Sequence, residues 1–156
     1  MQDVPGAIVH VKALPDVETL NFNGPNTGDD DLAHLAGLTE LKVLALANTK
    51  ITDKGLAHVA GLVKLEKLTL NDCNVSDEGL VHLQNLKQLK QLHLNGTKIT
   101  DAGLEHLSGH EQLEALMAYD TAVTPAGAAA FREKRPETTV VTSEGESGAD
   151  DEPDGQ

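Results

Sequence analysis

The chain has 156 residues, 39% of them hydrophobic and 24% charged, which is the balance of a single globular domain. Its 25 acidic against 12 basic residues give a net charge of -13, a sign that repels phosphate backbones and anionic lipid surfaces and sets nucleic acid and membrane aside as partners. Aromatic residues make up 2%, only Phe22, Tyr119 and Phe131, so the core has to be built in thin layers of Leu, Val, Ile and Ala, which suits a compact enzyme poorly.

Met1 to Pro5 lacks the basic start and apolar stretch of an export signal, and no apolar run reaches membrane-spanning length. The single cysteine, Cys73, cannot form an internal disulfide, which fits a reducing, cytoplasmic compartment or an exported protein that needs no bridge. Residues Pro5 to Ala13 alternate apolar and polar behind a Pro-Gly turn, so residues 1–13 are expected to form an N-terminal capping strand.

From Leu14 onward the same unit restarts at Leu38, Leu62, Leu86 and His110, every 24 residues, giving five repeats over 14–37, 38–61, 62–85, 86–109 and 110–133. Each opens on a short strand whose alternate leucines, such as Leu41, Leu44 and Leu46 or Leu89, Leu92 and Leu94, point inward. A helical turn follows, capped by Thr52, Ser76, Thr100 or Thr124, with Asp53, Asp77, Asp101 or Pro125 at its first position. Leu56 and Val59, Leu80 and Leu83, and Leu104 and Leu107 face the strands, and Gly61, Asn85 and Gly109 are placed to stop the helices. About seven apolar side chains per layer, at ~1.5–3 kcal/mol each, do not offset the entropy of ordering a whole repeat, so stacking has to supply the rest. The last unit lengthens into a helix through Ala128–Phe131, and residues 134–142 are expected to close the stack as a strand. From residue 143 to 156 the sequence is acidic, without basic or large apolar residues, and is expected to be disordered.

The shared frame, L-x-x-L-x-x-L-x-L-x-x-[TC]-x-[IV]-[ST]-D-x-G-L-x-H-[LV], resembles the leucine-rich repeat, in the short form with Cys or Thr at the ladder position found in ubiquitin-ligase substrate receptors and many bacterial repeat proteins. The resemblance covers Leu14 to Phe131. It implies an α/β, right-handed solenoid with parallel strands on the concave face and short helices on the convex face. It also implies recognition of a protein partner on the concave side.

A constant period turns each position into a column running up the stack. Thr49, Cys73, Thr97 and Thr121, with Pro25 in the first repeat, read as an inward polar ladder bonded to loop backbone. His34, His58, His82 and His106 read as helix-flank packing residues, since adjacent helices ~8–10 Å apart cannot share one zinc ion. Glu18, Lys42, Glu66, Lys90 and Glu114 alternate in sign, so each charge is expected to face opposite charges above and below and to fix register. Asp29, Asp30 and Asp31 fall where a helix starts and read as capping rather than as a cation loop.

The outward strand columns are Asn21, Ala45, Thr69, His93 and Met117, then Asn23, Ala47, Asn71, Asn95 and Tyr119, then Gly24, Asn48, Asp72, Gly96 and Asp120. The protein-binding residues expected among them and beside them are Thr69, Asn71, Asp72, Gln91, His93, Asn95, Met117, Tyr119 and Asp120. No catalytic motif, cofactor motif or metal motif is present. The reading is a monomeric, non-enzymatic module that binds a protein partner on the concave sheet. The alternatives are capture of basic proteins by the acidic tail, or a structural repeat segment of a larger assembly.

Overall fold

The computed structural model describes residues 16–143. The strand expected over 1–13 and, apart from Ser143, the tail expected over 143–156 lie outside the described residues. Six strands, β1 (Thr19–Asn21), β2 (Val43–Ala45), β3 (Lys67–Thr69), β4 (Gln91–His93), β5 (Ala115–Ala118) and β6 (Thr139–Thr142), form one parallel sheet in sequence order. Between them run α1 (Asp29–Leu32), α2 (Asp53–Leu56), α3 (Asp77–Leu80), α4 (Asp101–Glu105) and α5 (Pro125–Lys134).

Every pairing steps by the repeat length, which puts Leu20, Leu44, Leu68, Leu92, Leu116 and Val140 in one inward row. Leu44, Leu68, Leu92 and Leu116 are wholly buried, as are Leu56, Val59, Leu80, Leu83 and Leu107 on the helical side, in one continuous core. On the strand side of the first layer Val17, Leu20 and Phe22 are only partly buried, while Leu32 and Leu35 on its helical side are fully buried. The sixth strand closes the other end: Thr138 Oγ1 donates to Leu113 O (2.6 Å), and Arg132 Nη2 donates to Val140 O (2.7 Å). The Val140 carbonyl points away from β5, so Arg132 occupies an acceptor that a further strand would otherwise use.

The D-x-G element of the frame joins one layer to the next. The Asp29 carboxylate accepts from Thr52 N–H (2.7 Å) and Thr52 Oγ1–H (2.6 Å). Asp53 holds Ser76 in the same way, Asp77 holds Thr100, and Asp101 holds Thr124. Each carboxylate thus satisfies a helix N-cap of the following repeat with two charge-assisted bonds. The repeat glycine makes room for it: a β-carbon on Gly55, Gly79, Gly103 or Gly127 would overlap the Asp29, Asp53, Asp77 or Asp101 carboxylate respectively. The first repeat has Asp31 in the glycine slot, and 24 residues before Asp29 the sequence has Pro5, which brings no carboxylate to that slot. Asp31 instead accepts from Gly28 N–H (2.8 Å), the one half of a capping box that a glycine N-cap allows.

The polar ladder runs inward. Cys73 Sγ lies 3.1 Å from Leu46 O and 3.2 Å from Thr49 Oγ1, while Thr97 and Thr121 donate to Leu94 O (2.6 Å) and Ala118 O (2.8 Å).

One expectation needs correction. Gly61, Asn85 and Gly109 do not end the helices in a left-handed conformation; in that column only Gly37 does, at φ +100°. The helices stop earlier, and the chain leaves through successive i→i+3 turns such as Leu62 N–H to Val59 O and Leu65 N–H to Leu62 O. The charge column alternates as expected, with Lys42, Glu66 and Lys90 each acted on by an opposite charge from both neighbouring layers, but its hydrogen bonds are not continuous. It closes as separate pairs, Lys42 with Glu18 and Lys90 with Glu66, both at 2.8 Å. Pairing holds Lys42 and Lys90 above, and Glu66 below, the ordinary values of their groups. One lysine Nζ reaches a single neighbouring carboxylate at bonding distance, so the remaining Glu in the column acts only through space.

His110 stands where the other repeats carry Leu38, Leu62 and Leu86, and it is completely buried. Its Nε2 lies 2.9 Å from Leu83 O and its Nδ1 3.2 Å from Leu107 O, so it ties the start of the fifth repeat to the ends of the third and the fourth.

Candidate functional site

Period-2 alternation on three-residue strands leaves two outward rows on the sheet. Thr19, Val43, Lys67, Gln91, Ala115 and Thr139 form one; Asn21, Ala45, Thr69, His93, Met117 and Val141 form the next. The structure therefore brings Thr69, Gln91, His93 and Met117 together on β3, β4 and β5. Lys67 is the cation among them, and Val43, Ala115 and Val141 share the face. Extending the alternation two residues back from Thr69, His93 and Met117 was the signal that would have found that row whole.

Tyr119, just past β5, is 44% exposed, the most open aromatic side chain among the described residues. Met117 and His93 beside it are half-buried. Burial, with the Lys67 ammonium nearby, holds the His93 imidazole below its usual pKa, so it is mostly neutral at pH 7.

Beyond the strands the residues have a different task. Asn71 Oδ1 accepts the Asn95 N–H (3.0 Å) and Asn95 Oδ1 accepts the Tyr119 N–H (2.8 Å), while Asn23 Oδ1 accepts the Ala47 N–H. Ala47 has no side chain to continue this ladder. Asn71 and Asn95 are thus committed through their oxygens to holding the next turn, rather than standing as a solvated edge. Asn48, Asp72 and Asp120 have φ of +58°, +56° and +51°, alongside Gly24 and Gly96 at +114° and +67°. This column is Asn, Asp or Gly because those residues tolerate left-handed backbone. Asp72→Val, which removes that tolerance, is expected to cost roughly 1–2 kcal/mol in urea unfolding. An unchanged midpoint would show that the turn relaxes.

The histidine column lies on the helical side. His58 is exposed, and His34, His82 and His106 are half-buried, with Gln84 Nε2 3.2 Å from His106 Nδ1. Among the described residues no group of three or more His, Cys, Asp or Glu side chains converges as a metal site, and no helix there is long and apolar enough to cross a membrane.

A parallel sheet with one strand and one helical turn per 24-residue step is a solenoid of the leucine-rich class. Family models confirm it: one for leucine-rich repeats in two copies matches residues 63–109, and one for a single leucine-rich repeat matches residues 38–60. The chain is a leucine-rich repeat protein. Among solved structures it is similar to internalin C2 of Listeria monocytogenes, with a TM-score of 0.68 and 24% identity over 91% of this chain and 57% of that one. A leucine-rich repeat protein of Leptospira interrogans gives a TM-score of 0.64 at 18% identity over 90% of this chain and 34% of its own. This chain thus spans 57% and 34% of those two structures. No curated protein matches the sequence.

Proposed function

We propose that this chain is a non-enzymatic interaction module that holds a protein partner on the outward face of its sheet around Thr69, Gln91, His93, Met117 and Tyr119, with Asn71, Asp72, Asn95 and Asp120 at the border. The observation that carries this reading is the exposed Tyr119 beside half-buried Met117 and His93 on a rigid sheet. Interfaces take much of their energy from a few aromatic anchors presented without entropic cost. The repeats are read as the Cys/Thr-ladder kind, from Thr49, Cys73, Thr97 and Thr121, with boundaries at 14–37, 38–61, 62–85, 86–109 and 110–133 and a closing segment at 134–142.

The test is affinity capture from a native extract followed by titration of the recovered partner. His93→Ala with Tyr119→Ala is expected to weaken binding by roughly tenfold or more. Unchanged affinity would refute the face. The net charge of -13 favours a second reading, capture of basic proteins by the acidic tail. Deleting residues 143–156 would then abolish binding, and its salt dependence with it, while the double alanine variant would not.

A further inference from the structure

We infer that the sheet face is built for an acidic-apolar segment of a partner, lying extended across β3 to β5, with a carboxylate on Lys67 and a large apolar side chain on Met117 and Tyr119. This rests on the proposal that the sheet face is the binding surface, and it names what that surface takes. In a protein of net charge -13, none of the six strands carries a carboxylate, and Lys67 is their one formally charged side chain. Lysines elsewhere are matched: Lys42 with Glu18, Lys64 with Glu40, Lys90 with Glu66 and Lys134 with Glu105. Lys67 has no ion-pair partner among the described residues, and the other lysines there without one, Lys50, Lys54, Lys87 and Lys98, stand outside the strands.

The border of the face reinforces this. At the strand entries Glu18 and Glu66 are matched by Lys42 and Lys90, leaving Glu114 as the unpaired carboxylate there, and Asp72 and Asp120 lie at the strand exits. A partner carboxylate is disfavoured near Glu114, Asp72 and Asp120, and the cation it finds within the face without an ion-pair partner among the described residues is Lys67. Beyond it Met117, Val141 and Tyr119 form the apolar end. Lys67 and Met117 are two strands and two residues apart, roughly 12 Å from strand spacing and rise. An extended chain covers that distance in about three to four residues. The expected signature is therefore an Asp or Glu three to four residues from a Leu, Phe, Ile or Met.

The experiment is selection of a random linear peptide library on the immobilised full chain, with anisotropy titration of the enriched peptides. Enrichment of that spacing is expected, with affinity falling roughly tenfold or more for Lys67→Glu and for Met117→Asp. Lys54→Glu, the same charge change on α2, is expected to leave affinity within about twofold. Peptides without an acidic residue, lost on Met117→Asp but indifferent to Lys67→Glu, would overturn the acidic partner and leave the sheet face standing. Binding indifferent to Lys67→Glu, Met117→Asp and Tyr119→Ala would overturn both. An empty selection overturns the inference made here.

Discussion

Gly103→Ala is expected to destabilise the protein by about 2–4 kcal/mol, although alanine is the better helix former by about 1 kcal/mol. The new β-carbon would enter the space of the Asp77 carboxylate and come within 3.1 Å of Leu80 Cδ1. The carboxylate has to leave, and the Thr100 N–H and hydroxyl lose their acceptors at 2.7 and 2.6 Å. Asp77→Ala deletes the same two bonds directly, at about 1.5–3 kcal/mol for each bond to a charged group, less what water returns to a half-buried N-cap. The two substitutions therefore remove one interaction twice. In a double-mutant cycle by urea unfolding, the combined variant is expected to be no less stable than Asp77→Ala alone. Simple additivity would sink the clamp as the reason for the glycine.

The second large effect is at His110. A neutral imidazole has one N–H and faces two carbonyls, and each carbonyl already accepts a backbone N–H, Leu86 to Leu83 O (2.9 Å) and His110 to Leu107 O (3.1 Å). Burial lowers the His110 pKa most, the two carbonyl bonds oppose that, and Lys87 and Arg135 push it down further. The folded protein then takes up the proton at a lower pH than the unfolded chain. The stability is complete above the unfolded value of about 6.5 and is lost as pH falls through the lower folded value. His93, shifted in the same direction, adds to the loss.

His110→Leu restores the residue of the other repeats. It gains about 1.5–3 kcal/mol of apolar burial and gives up hydrogen bonds of ~0.5–1.5 kcal/mol each, so it is expected to be neutral or stabilising at pH 7. His110→Ala, which leaves a cavity, is expected to cost about 2–4 kcal/mol. The difference between wild type and His110→Leu is expected to grow as pH drops below about 6.5. Parallel melting curves from pH 7 to pH 5 would rule out His110 as the source.

What sequence reveals here depends on whether a residue's partner lies in its own column. Leu44, Leu68 and Leu92 pack on themselves one layer up, so the period displays them, and with them the parallel register and the core. The same holds for Thr49 and Cys73. Asp77 and Gly103 belong to different columns and meet because the Asp77 carboxylate reaches across to the N-cap of the next layer, a contact that no single column displays. Asn71 and Asn95 read as surface because the groups they hold are backbone N–H groups, invisible in a string of side chains. Asp72 and Asp120 entered the candidate site for their exposure, and their left-handed backbone gives a reason for their identity that involves no ligand. Lys67 was passed over because the outward row was traced from its Thr69 end alone.

The clamp has a direction. Each layer lends a carboxylate upward and receives one from below, so the contact between layers is head-to-tail, and such a contact contains nothing that counts. The interface between the second and third repeats is the interface between the third and fourth. The series of clamps stops at Pro125, which stands in the place of Asp29, Asp53, Asp77 and Asp101 and has no carboxylate to lend, and β6 is held without one. One cyclic side chain ends a series that four carboxylates would otherwise continue.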